Sequence, residues 1–110
     1  MPTLDAGALV GDMLRAAADV AKHQWPKIRD SVTPQFERLA EIGVDIEAKH
    51  LAGELDEDEA QTAVAMMKNT LMAVTAGAKG QAKVAAQAAI NAALAVLTAA
   101  VNRAIGFALL

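Results

Sequence analysis

The sequence predicts an all-α protein of three or four helices, and three observations carry that prediction. Apolar residues recur at helical spacing through most of the chain. Helix start and stop signals fall between those runs. The aliphatic content is dominated by alanine, the best helix former. Hydrophobic residues make up 55% of the 110, and aromatics only 3%, so the core must be filled by Leu, Ile, Val, Met and Ala, with helix backbones close together. A chain of this length is one domain.

The first helix is expected from about residue 5 to 25. Asp5 is its N-cap, and Val10, Met13, Ala17, Val20, Ala21 and Ile28 recur at the spacing of one apolar face. Asp12, Arg15, Asp19 and Lys22 lie opposite, and Pro26 ends or kinks the helix. A polar connection over residues 27–33 follows. Thr33 before Pro34 reads as an N-cap followed by proline at the first helical position, opening a helix over about 34–52 that stops at Gly53. Its apolar face is Phe36, Leu39, Ile42, Gly43 and Ile46.

Asp56 with Glu59 three residues later approximates a capping box, and the acidic run Glu54–Glu59 suits the positive end of a helix. A third helix then covers about 57–76, with Ala60, Val64, Met67, Leu71 and Val74 on one side. Gly77 and Gly80 interrupt. They make either a turn between antiparallel helices or a soft point in one long kinked helix, since two glycines cost only ~2 kcal/mol together. The last helix is expected over about 81–107.

That last helix is the most informative segment. From Val84 to Val101 there is no charged residue. Ile90, Leu94, Leu97, Val101 and Ile105 form a stripe of large aliphatics, Gln87, Asn91, Thr98 and Asn102 a polar stripe beside it, and alanines cover most of the rest. A helix that is apolar or small all round is buried all round, and a chain this short has difficulty enclosing one. The expectation is therefore a bundle completed by homo-oligomerisation, with Ala88, Asn91, Ala92, Ala95, Thr98, Ala99 and Asn102 at the subunit interface, the polar ones fixing register. The alternative cover is a membrane, entered through residues 84–107. The uncharged run reaches the ~18 residues of a spanning helix, but alanine drives insertion weakly and two Asn and a Gln oppose it. The membrane is the less favoured cover.

One pair points to chemistry. Glu47 and His50 are three residues apart on the apolar side of the second helix, unlike Glu37, Glu41 and Asp45. A carboxylate facing a core is costly unless it is paired or binds a metal. The pair resembles the Glu-x-x-His motif of ferritin-like carboxylate bundles, a resemblance confined to this one motif, which implies an iron, manganese or zinc site completed by an inward carboxylate on a neighbouring helix. The first helix has no Glu, and Asp12 is its nearest substitute. The other reading leaves Glu47 and His50 partly wet at the helix end, where His50 and Lys49 suit the dipole. Asp19 and His23 form a second, weaker pair that would need Glu37 or Glu41 as a further ligand.

The net charge of −3 leaves no basic stripe for nucleic acid. The absence of cysteine removes thiolate metal sites and disulfides. No Ser-His-Asp set and no phosphate-binding glycine loop can be assembled. Residues 1–5 lack the pattern of a secretory signal. The function expected is thus a non-enzymatic, cofactor-free structural subunit of a larger assembly, cytoplasmic, with membrane-associated or virion locations as the alternatives.

Overall fold

A computed structural model describes residues 3–77 and 80–110. Among them are four α-helices and no strand: α1 (Ala6–Ala21), α2 (Trp25–Leu51), α3 (Glu57–Val74) and α4 (Gln81–Ile105). The fold is all-α. The helices run up-down-up-down in a bundle 45 × 23 × 20 Å across. Helices α1, α2 and α4 pack on one another, whereas α3 packs on α2 rather than along α4.

The helix boundaries have visible causes. The Asp5 side chain accepts the Gly7 amide at 3.2 Å, as an N-cap should. At the end of α2 the Gly53 amide donates to the His50 carbonyl and the Glu54 amide to the Lys49 carbonyl. With Gly53 at φ +73, this is a Schellman stop, which needs a residue free to adopt left-handed backbone. Asp56 accepts the Glu59 amide at 3.0 Å and opens α3. Residues 75–77 turn the chain and Gly80 at φ +61 starts α4, so α3 and α4 are separate helices. Ala78 and Lys79, within that connection, lie outside the described residues.

The expected boundary between the first two helices is corrected. The chain breaks earlier, in a single 3-10 turn at Lys22–Gln24, and residues 27–33 are the first part of α2. Pro26 sits in the first turn of α2, where its missing N–H has no helical partner to lose. Pro34 lies inside the helix instead of starting it. Thr33, expected as an N-cap, donates its hydroxyl to the Arg29 carbonyl at 2.7 Å, the back-bonding typical of a mid-helix threonine. Burial explains the continuity: Ile28 and Val32 are in the core together with Phe36, and that packing outweighs the proline penalty.

The core is a column of Leu9, Met13, Ala17 and Ala21 from α1, Ile28, Val32, Phe36, Leu39 and Ile46 from α2, and Ala86, Ile90, Ala93, Leu97 and Val101 from α4. Val20, placed on the apolar face by the sequence pattern, is 45% exposed, whereas Leu9, not counted on that face, is buried. Helix α3 contributes less: Ala60 and Leu71 are buried, Val64 and Met67 are half-buried, and Val74 is exposed. Gly43 marks a close approach of α2 and α4. A β-carbon there would stand 3.1 Å from both Leu97 Cδ1 and Val101 Cγ2.

Candidate functional site

Two features stand out: the outward face of α4 and the end of the bundle where α2 finishes. Opposite the buried column, α4 presents Val84, Ala88, Asn91, Ala92, Ala95 and Ala99. Val84, Asn91, Ala95 and Ala99 are exposed, and Ala88 and Ala92 are half-buried. Of the proposed interface residues, Thr98 and Asn102 turn toward α3 and the segment after α4. The chain itself covers the face of α4 that bears Ile90, Leu97 and Val101 with Ala86, Ala89 and Ala93, and leaves the opposite ridge exposed or half-buried.

Between α3 and α4 lies an apolar groove of about 360 Å³, lined by Val64, Ala65 and Lys68 on one side and Leu94 and Thr98 on the other. Gln61, Leu109 and Leu110 complete its wall. The groove exists because α3 leans on α2, where Lys49 reaches Asp45 at 3.2 Å and Glu59 at 3.7 Å.

Glu47 is 1% exposed. Its partners come from the segment before α1. The Thr3 and Leu4 amides donate to one carboxylate oxygen at 2.8 and 2.9 Å, and the Thr3 hydroxyl donates to the other. Burial alone would push the carboxyl up, but the Thr3 hydroxyl and the Leu4 and Thr3 amides outweigh it and hold Glu47 below its ordinary range. His50 does not turn to the same place. Its ring meets Phe107 edge-on, with centroids 5.8 Å apart and planes at 61°. The Glu-x-x-His pair thus fastens two segments of its own chain: Glu47 the one before α1, His50 the one after α4.

Among the described residues, no group of three or more His, Asp or Glu side chains converges on a point where a metal could sit. Asp19 and His23 are both exposed, at the far end of α1 from Glu37 and Glu41. Those two glutamates face Ala6, Gly7 and Val10, because α1 and α2 are antiparallel. The ligand set sketched from the sequence is therefore not brought together.

The sequence pattern places Asn102 at a subunit interface. It bonds within its own chain: its side-chain oxygen accepts the Leu109 and Leu110 amides, each at 3.0 Å, and its Nδ2 donates to the Leu110 carbonyl at 3.5 Å. Gln61 of α3 donates to the Leu109 carbonyl at 2.9 Å. The sequence held one signal for this, an asparagine followed four residues later by Gly106 and then an apolar tail. The roles of Thr3, Leu4 and Gln61 left no local trace.

The fold and these sites define an up-down helical bundle with an incompletely covered fourth helix. No family model, no curated protein and no solved structure matches this chain.

Proposed function

We propose that the protein is a non-enzymatic structural subunit that self-associates through the outward face of α4. The observation that supports this reading is the ridge of Val84, Ala88, Asn91, Ala92, Ala95 and Ala99, mostly alanine, free of charge, and exposed except at half-buried Ala88 and Ala92. Flat ridges of small residues let helix backbones approach closely, so many dispersion contacts form over a short length. Charge is scarce on this face, as at the centres of stable interfaces. The polar groups of the chain are used for holding it together: Glu47, Gln61 and Asn102 each bond to the segments flanking the helices.

Light scattering on the purified chain without detergent tests the reading. The expected species is an oligomer, and Ala95→Arg, at an exposed position that the monomer does not pack, is expected to return it to monomer with helicity unchanged. A wild-type monomer at high micromolar concentration removes the proposal.

A second reading has one supporting observation. Helix α4 is the helix among the described residues that is long and apolar enough to cross a membrane, with mean hydropathy 1.8 over its best window. A third of that window is buried inside the bundle, so insertion would require the bundle to open. Complete recovery in the soluble fraction, without leakage from dye-loaded vesicles, would reject it.

A further inference from the structure

The segment after α4 crosses the gap that α3 and α4 leave between them. Gly106 stops α4 in left-handed backbone at φ +87, a conformation glycine adopts without strain, and reverses the chain onto the end of the groove. Asn102 of α4 then holds the segment from one side through the Leu109 and Leu110 amides. Gln61 of α3 holds it from the other through the Leu109 carbonyl. Leu109 is 4% exposed, while Phe107 remains 39% exposed. Since α3 packs on α2 and hardly along α4, this crossing is a principal tie between α3 and α4 at that end of the bundle.

We infer that residues 106–110 are a reversible strap, hinged at Gly106 and latched by Asn102 and Gln61, whose release opens the α3–α4 groove along its length. The contacts that close it are a few partly buried hydrogen bonds, one buried leucine and the His50–Phe107 ring contact. Against them stands the entropy of ordering the backbone from Phe107 to Leu110. These opposing contributions are of the same order, so the strap opens as a local event while the α1–α2–α4 column stays folded. Opening frees Leu109 and uncovers the groove wall at Val64 and Leu94. The inference does not depend on self-association, because it concerns contacts within one chain.

Amide hydrogen exchange on the full chain tests it, with Leu97 in the core of α4 as the internal reference. In the wild type the Leu109 and Leu110 amides are expected to exchange at least 100-fold faster than Leu97, yet more slowly than an unstructured chain. Asn102→Ala is expected to accelerate Leu109 and Leu110 by about tenfold or more, the scale of losing one or two hydrogen bonds, with Leu97 unchanged. Gln61→Ala, at an exposed α3 position, is expected to accelerate Leu109 several-fold and serves as the readout if Asn102→Ala unfolds the chain. Exchange of Leu109 and Leu97 at one common rate would overturn the inference, because the strap would then open only with the whole fold. So would unchanged Leu109 exchange in Gln61→Ala.

Discussion

Replacing Glu47 by Gln tests whether this buried carboxylate serves the fold. In the wild type both carboxylate oxygens accept, taking two amides and a hydroxyl from Thr3 and Leu4. Glutamine keeps the shape, and with its oxygen on the two amides its NH₂ can donate to the Thr3 hydroxyl oxygen, so what is lost is the negative charge that strengthens all three bonds. A hydrogen bond to a charged group is worth ~1.5–3 kcal/mol. The site lies at the end of the bundle, where solvent screening reduces that value, and glutamine retains part of the set. The expected net loss is about 2 kcal/mol, which for a chain of this size lowers Tm by roughly 10 °C. The pH dependence has a definite sign. The folded carboxyl lies below its ordinary value of 4.5, so on acidification the unfolded chain takes up the proton first. The contribution of Glu47 is therefore complete above pH 4.5 and is lost as pH falls through the folded value. Thermal melts from pH 7 down to pH 2.5 should show the gap between wild type and Glu47→Gln closing below pH 4.5. A chelator should leave the wild-type Tm unchanged. If the chelator lowers wild-type Tm and Glu47→Gln abolishes that drop, the carboxylate is holding a cation and the clasp reasoning is refuted.

Two further substitutions test the packing. Gly43→Leu should cost about 3 kcal/mol by chemical denaturation, because Leu97 and Val101, both 0% exposed, already stand 3.1 Å from the first added carbon; an unchanged midpoint would mean that α2 and α4 are not in close contact. Pro34→Ala should raise stability by about 1–2 kcal/mol, since it restores a helical N–H at an exposed position while giving back some unfolded-state entropy. A destabilised Pro34→Ala would show instead that the core requires the bend proline imposes.

The sequence was most legible where a local rule and burial agree. Asp5, Gly53 and the Asp56–Glu59 pair act as the caps their positions imply, and the stripe from Ile90 to Ile105 is buried except for half-buried Leu94. It misled where a local rule and burial conflict. Thr33-Pro34 carries a strong helix-start signal, but Ile28 and Val32 upstream of it must reach the core, and helical backbone at residues 27–33 is what delivers them. The site was legible as an anomaly and opaque as a solution. Glu47 reads as a carboxylate needing a partner, but that partner is 44 residues away at Thr3, in a segment with no pattern of its own. His50 likewise meets Phe107 only after the chain has folded.

The same opposition of local and tertiary demands explains α4. Its sequence is apolar or small around the whole circumference, yet the chain encloses only the half bearing Ile90, Leu97 and Val101, with Ala86, Ala89 and Ala93 giving α1 and α2 close access. If the outer alanines existed only for helix propensity, charged residues would serve nearly as well, since Lys, Glu and Arg rank close behind alanine, and they would add solubility. The exposed positions of α1 and α2 are different in kind: they hold Asp12, Arg15, Asp19, Arg29, Glu37 and Glu41. Helix α3 keeps one charge beyond its first turn, Lys68, whereas α4 has none from Val84 to Val101, on the outer ridge as well as the inner column. A ridge kept free of charge, and flat through its alanines, is what close contact with another apolar surface requires. That is the physical ground for expecting Ala95→Arg to change the assembly and leave the bundle intact.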